Sequence, residues 1–577
     1  MNAPIDHDVL EKQNGLVPFN LADFYKTGHP GMYPAGLDML VANFTPRSAK
    51  YAPVLPQLFD GKVVWLGQQG WIQEFVIDLF GKRFFDVPKA KAVRKFKRRM
   101  DTALGPDAVS TAKLEALHDL GYLPLEIRAL PEGSRVNIKV PPIIFIARGE
   151  HSWLATYFET LFSCENWKPS TVATIAFEFR KLLTYFARLT GAPEDFVSWQ
   201  GHDFSMRGMS GVHDAMRCGL GHLLSFTGTD TIPAIDYAED FYGADADKEL
   251  IGGSIPATEH SVMTLRILRV LAALKRKRGN EIFTEKQMRC VAEQEVIREL
   301  VTEDYPEGMI SIVADSFDFW NTITVVAREL KDEILARRPN ALGQCKVVFR
   351  PDSGDPVKIL TGYRNDELMC DDDGQPVVDE EGKYVTCGRA GMGRRITAAE
   401  RKGAVECLWD IYGGTGTDKG FKVLDSHVGL IYGDSITLER GVRILRRLAD
   451  KGFASNNVVF GIGSYTYNMV SRDTFGFALK AIYAEVGGES IEIYKDPATD
   501  DGTKKSAKGL VCVRRVDDDY VLYDRQDPTV FDTGSLKPIF RDGKLVRTTT
   551  LAQMRNRLAM SWECPEPGSI DWTGIMP

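Results

Sequence analysis

The sequence predicts an α/β fold in two parts. One is an irregular TIM-like α/β barrel over residues 166–480; the other is a mixed, β-rich α+β domain built from both chain ends, residues 1–165 and 481–577. Three observations carry this reading. From residue 172 onward, short β-favouring runs, polar loops and helical patterns alternate. The polar loops fall at the carboxyl ends of the runs, where an α/β barrel places its active face. The flanking regions are instead β-rich runs broken by turn residues.

At 577 residues the chain is too long for one core. Its 44% hydrophobic and 26% charged residues fit a globular protein. A net charge of −8 argues against a nucleic-acid partner, so an anionic substrate needs a local basic pocket. Residues 1–12 are polar and acidic, unlike a signal peptide. The longest apolar run, near 140–147, is too short for a bilayer, so no membrane partner is expected. Nine cysteines without a C-x-x-C pair suit a reducing cytoplasm. The nine histidines lack zinc spacing, and His213 and His222 read as structural or solvent-facing.

In chain order, residues 20–33 are polar and aromatic without a period, which suits a binding segment or a surface arm equally. Residues 40–44 read as a strand ending at Arg47, and 63–79 as a strand and helix stopped by Gly81. Residues 89–100 form a basic, solvated helix face, and 125–148 hold β-rich runs. A long helix over 172–189 is closed by Gly191. Polar loops then recur at 202–208, 227–231, 254–261, 314–318, 347–356, 433–435 and 461–464. The loop at 347–356 organises the set. A buried strand over 345–349 breaks into Arg350, whose planar fork suits phosphate oxygens, and Asp352, an acceptor for ribose hydroxyls or hydrated magnesium. Alone, Pro-Asp-Ser-Gly is an ordinary turn; its recurrence in register gives it weight.

Two passages interrupt the register, within an insertion at about 357–425. Residues 370–382 read as a solvated acidic hairpin, since Met369 occupies the first ligand position an EF-hand would need. Residues 413–420 resemble a phosphate loop in composition only and read as a flexible connection. Beyond 495 the chain is β-rich again, with a turn at 541–544.

Taken together, the motifs resemble the nicotinamide phosphoribosyltransferase family, type II phosphoribosyltransferases. The resemblance runs from Asp23-Phe24-Tyr25-Lys26 to Lys495-Asp496-Pro497. Between them it includes His202-Asp203-Phe204, Gly228-Thr229-Asp230-Thr231, Glu259-His260-Ser261, Arg350-Pro351-Asp352-Ser353-Gly354 and Arg472-Asp473. It implies transfer of phosphoribose from phosphoribosyl pyrophosphate to nicotinamide in NAD salvage, by a homodimer with shared active sites. Mg2+ accompanies the sugar diphosphate, and ATP is a coupled substrate.

The resemblance also implies roles. Phe204 and the neighbour's Tyr25 clamp the nicotinamide ring, and stacking leaves its nitrogen free to attack. Asp230 accepts from the carboxamide NH2 and repels nicotinate; by itself it reads as a turn or helix cap. Arg207, His260 and Arg350 surround the pyrophosphate, with Arg47, Lys480 and Lys495 at its shared edge and Asp23 and Arg472 in matching motifs. Asp352, Gly433 and Asp434 hold the ribose, and Gly463 and Ser464 the 5′-phosphate. His260 corresponds to a phosphorylatable histidine, and the catalytic set is His260, Asp352 and Arg350. The chain departs from the family where Gly461-Ile462-Gly463-Ser464-Tyr465 replaces a longer glycine run, and where Ser205 and Met206 replace glycine and tyrosine. A nicotinate phosphoribosyltransferase, an idle phosphosugar-binding paralogue and a carboxylate-lined glycosidase barrel are the competing readings. The retained Arg207, Arg350, Asp352, Asp434 and Arg472 count against the last two.

Overall fold

A computed structural model describes residues 15–277, 284–388, 393–494 and 507–575. The acidic start at 1–12 and Lys495 lie outside the described residues. Six parallel strands form the central sheet, in the order Gly228–Thr229, Gly201–Asp203, Val458–Ile462, Val428–Tyr432, Val347–Arg350 and Ile310–Val313. Residues 253–258 join its two edges. Gly228 pairs with Gly253 and Ala257 with Ser311, both parallel. Thr229 N donates to Gly253 O and Thr258 N to Ser311 O, each at 2.9 Å. The sheet thus closes into an irregular α/β barrel. Its strands are short runs of buried β-branched and aromatic residues, such as Ile310, Ile312, Val347, Phe349, Val458 and Phe460, which fill the interior.

The longest helix, Glu159–Thr190, has 32 residues and ends at Gly191, whose φ of 72° is the left-handed cap expected there. It begins thirteen residues before the predicted start because Pro169 sits inside it rather than ending it. Hydroxyls beside the proline dock the neighbouring strand Lys62–Val64. Leu66 N donates to Ser170 Oγ at 3.0 Å, and Val64 N to Thr174 Oγ1 at 2.9 Å. Gly81 also fails to stop its helix. Wide π-type turns over Ile72–Leu79 and Gly81–Phe85 carry the chain through it, with Ile72, Phe75, Val76 and Phe84 buried.

Seven antiparallel strands make the second sheet, in the order Glu489–Glu492, Ala478–Val486, Leu37–Thr45, Ile143–Arg148, Leu125–Ala129, Lys537–Arg541 and Lys544–Leu545. Strands from both ends of the sequence therefore share one sheet, over a core that includes Phe44 stacked on Phe477 at 5.1 Å. The turn at 541–544 is the expected hairpin, with Asp542 at φ 48° and Gly543 at φ 78°. The tail leaves this sheet. Leu551, Met554 and Leu558 pack with Tyr237 and Tyr242, and Trp572 lies on Phe186 at 5.9 Å.

Much of the stretch read as an insertion belongs to the barrel, since Val357, Leu360, Ala404, Val405 and Leu408 are in its core. Residues 368–386 form the acidic hairpins, in which Asp371 Oδ1 accepts from Gln375 N at 2.8 Å and Asp379 Oδ1 from Lys383 N at 2.9 Å. Residues 413–420 differ from the flexible connection expected: Gly414–Gly416 pairs antiparallel with Lys422–Leu424. Among the described residues, no helix is long and apolar enough to cross a membrane.

Candidate active site

Phe204 follows the strand Gly201–Asp203, and its backbone N–H donates to Ile462 O at 3.0 Å. Its ring lies on the main chain of two neighbouring strand ends. A Cβ at Gly461 would come within 2.5 Å of Phe204 Cε2, and one at Gly433 within 2.9 Å of Cδ2. Only glycine lets the ring lie this close to the backbone. His202 flanks it, with ring centroids 4.9 Å apart. Asp203 fixes the loop from below: it is fully buried and accepts from Ser205 N at 2.9 Å and from Thr231 Oγ1 at 2.8 Å.

Asp230 sits at the edge of this platform. Its Oδ1 accepts from Ser254 Oγ at 2.6 Å and meets His202 Nε2 at 2.9 Å. Partial burial works to raise its carboxyl, but the His202 hydrogen bond and charge, the Ser254 hydroxyl and the Arg350 guanidinium outweigh it and hold the group below the usual carboxylate range. Both partners therefore occupy one oxygen of a carboxylate that remains half-exposed and anionic.

Arg350 ends the strand Val347–Arg350, donates from Nη2 to Thr258 O at 3.0 Å, and keeps a buried Nε without a partner. Asp315 binds three loops together. Its Oδ2 accepts from Asp352 N at 3.0 Å and Ser353 Oγ at 2.6 Å, while Oδ1 lies 3.1 Å from His260 Nε2. Tyr432 Oη donates to Gly354 O at 2.8 Å, pinning the turn that Gly354 makes at φ 93°. Burial pushes the Tyr432 phenol well up, and the carboxylates of Asp434, Asp315, Asp355 and Asp352 add to the effect. This side of the barrel mouth is thus rich in negative charge beside one strong cation.

Gly463 precedes the helical turn Ser464–Tyr467, which packs against the loop carrying Arg207. Asn468 Nδ2 donates to Gly208 O at 2.9 Å, and Gly208 lies against the Ser464 side chain. Arg207 is exposed, and so is Tyr465 at 54%, its bulk standing outside the loop rather than within it. Ser205 is buried, and Met206 is half-buried.

The remaining expected residues gather elsewhere in the chain. Tyr25 is 61% exposed with its ring 5.3 Å from His29, so within one chain it does not meet Phe204. Burial, with Glu159 and Asp23, raises its phenol against the opposing charge of Arg472. Asp23 Oδ2 accepts from Thr160 Oγ1 at 2.7 Å. Lys480 lies 3.4 Å from Glu159, which also pairs with Lys26, and Arg47 Nε donates to Gly476 O at 2.8 Å.

Sequence reasoning quoted His202, Ser254 and Asp315 inside motifs but gave them no role. Their contacts span 28, 24 and 55 residues of sequence, which no local pattern displays. His222 is structural, bridging Tyr467 Oη at 2.8 Å and Gly228 O at 2.9 Å, with burial pushing its imidazole down to about 4. His213 is exposed beside Glu74. Among the described residues, no group of three or more His, Cys, Asp or Glu is arranged to hold a metal ion.

A family model described as the nicotinate phosphoribosyltransferase (NAPRTase) family matches residues 199–543, which include the barrel strands and the loops above. A nicotinamide phosphoribosyltransferase of Acinetobacter baylyi is 50% identical over 547 residues, covering 95% of this chain and 98% of the relative. One of Mycoplasma pneumoniae is 31% identical over 67% of this chain and 71% of its own, and one of Xanthomonas campestris 30% identical over 75% and 79%. With its motifs, its barrel and these matches in agreement, the chain belongs to the NAPRTase family of phosphoribosyltransferases.

Proposed function

We propose that this enzyme joins nicotinamide to phosphoribosyl pyrophosphate, giving nicotinamide mononucleotide and pyrophosphate. The observation that carries the reading is the anionic Asp230 at the edge of the Phe204 platform, tied to His202 and Ser254. A carboxylate accepts from an amide NH2 and repels an acid, so it favours nicotinamide over nicotinate. The lone pair of the pyridine nitrogen attacks C1 of the ribose. The bond from C1 to the diphosphate oxygen breaks, and pyrophosphate leaves with the electron pair. No proton moves, so no general base is required. Arg350, with its unpartnered Nε, and the exposed Arg207 face the charge that grows on the leaving group. Asp352 and Asp434 hold ribose hydroxyls and offset the positive C1.

Magnesium enters with the sugar diphosphate. The described residues offer carboxylates but no three-ligand cluster, which suits an ion held by substrate oxygens and water with Asp352 and Asp434 as its protein carboxylates. Its chemistry there is neutralisation of the diphosphate. Tyr25, largely exposed with its ring beside His29 rather than Phe204, serves the ring of a second copy in a homodimer, alongside Asp23, Arg47, Arg472 and Lys480. His260, oriented by Asp315, is the residue for ATP-dependent phosphorylation. Nine free cysteines accord with a cytoplasmic setting. Comparing kcat/KM for nicotinamide and nicotinate tests the assignment, and preference for the acid overturns it.

A further inference from the structure

A cavity of about 570 Å3 opens between the far edge of the antiparallel sheet and the tail helix Leu551–Ala559. Six cations line it: Lys62, Arg135, Arg515, Lys537, Arg547 and Arg557. In a chain of net charge −8 this concentration is unusual. Three of them are neutralised by carboxylates, Lys62 by Asp519, Arg135 by Asp60 and Arg515 by Asp518. The other three, on the strand Lys537–Arg541, in the loop after Leu545 and on the helix Leu551–Ala559, form no ion pair with a described residue. Among the described residues, Arg557 hydrogen-bonds to the Glu132 carbonyl alone.

The carboxylates in the wall do little to cancel them. Asp518 stands exposed at the rim. Glu132 turns one oxygen to Gly67 N–H, at 2.5 Å, and to the Tyr242 hydroxyl, at 3.0 Å. Burial pushes its carboxyl up to about 7, which weakens its negative charge near neutral pH. The lining also holds the buried Leu130 and Ile539 and the half-buried Leu545, with Met560 and the amides of Gln553 and Asn556 exposed at its edge. Cations, apolar side chains and a few amides lining one cavity are the composition of a small-molecule site, and the volume falls in the range of such sites.

The cavity is separate from the phosphoribosyl site. None of the residues placed there lines it. Lys480 and Lys537 lie on strands four steps apart in the sheet, about 19 Å at the usual inter-strand spacing. We propose that this cavity is a second anion site, which binds a phosphorylated small molecule of nucleotide size through Lys537, Arg547 and Arg557. The phosphate takes the three unpaired cations, and a flat organic body packs on Leu130, Ile539 and Leu545.

The test is calorimetric titration of the full chain with AMP, in the wild type, in an Arg350→Ala/Arg472→Ala variant and in a Lys537→Gln/Arg547→Gln variant. Lys537 and Arg547 make no ion pair with a described residue, so their replacement leaves the fold intact, which thermal melting checks; the single Arg547→Gln replaces the pair if the melt shows otherwise. AMP is expected to bind the wild type and the Arg350/Arg472 variant equally, and at least about ten-fold more weakly the Lys537/Arg547 variant. Turnover at saturating nicotinamide is unchanged in that last variant. Absence of AMP binding, or its survival in the Lys537/Arg547 variant, overturns the proposal. Displacement of AMP by an equal concentration of inorganic phosphate overturns the nucleotide-sized ligand.

Discussion

Replacing Asp230 with alanine removes the acceptor at the rim of the Phe204 platform while leaving that platform in place. The His202 and Ser254 contacts, at 2.9 and 2.6 Å, both use Oδ1, so Oδ2 is the atom open to a carboxamide NH2. A hydrogen bond to a charged acceptor contributes about 1.5–3 kcal/mol. That converts to a loss of about 10- to 150-fold in kcat/KM for nicotinamide. The loss should be largely independent of pH near neutrality. The Asp230 carboxyl is held below its ordinary value in the folded protein, so it stays anionic throughout the neutral range and its charge is lost only as pH falls through the lowered value. Asp230→Asn adds the complementary measurement, because its NH2 can donate to a carboxylate and should narrow the preference for nicotinamide over nicotinate. Steady-state kinetics with both bases at saturating phosphoribosyl pyrophosphate reads each effect. Unchanged kcat/KM for nicotinamide in the alanine variant would show that the amide is recognised elsewhere.

Gly461→Ala should raise KM for nicotinamide more than it lowers stability, since the new methyl displaces Phe204 and meets Gly433 Cα at 2.8 Å; about 1–3 kcal/mol is expected from calorimetry. Mixing inactive Tyr25→Ala and Arg350→Ala chains should restore activity through hybrid dimers, and no recovery after demonstrated subunit exchange would count against shared sites. His260→Ala should abolish any stimulation by ATP, read as equal turnover with and without ATP. Burial raises the Glu293 carboxyl from 4.5 to about 7. Its stabilising protonated form is complete below pH 4.5 and lost as pH rises through 7, about 3 kcal/mol over that window. Tm should therefore fall between pH 5.5 and 8, and Glu293→Gln should flatten the decline.

The barrel strands were legible because the interior demands short β-branched runs, and Ile310–Val313 and Val458–Ile462 lead into the polar loops expected at 314–318 and 461–464. Helix boundaries were less so. Pro169 and Gly81 are breakers by local preference, yet tertiary burial of the surrounding side chains overrides both. The motif loops told which residue types would meet at the strand ends, and Phe204, Asp230, Arg350 and Asp352 follow from them. What one sequence hides is partnership. That Asp315 serves His260, Asp352 and Ser353 at once, or that Ser254 restrains Asp230, emerges only when the barrel closes.

The seating of Phe204 on Gly433 and Gly461 has a consequence for how such a site can change. A floor made of main chain offers no side chain to exchange, so in the proposed reaction the height at which a flat base would rest is set by strand spacing. New base preferences must then arise around the perimeter, at Asp230, His202 and Ser254, where a single substitution alters which edge of the ring is welcomed.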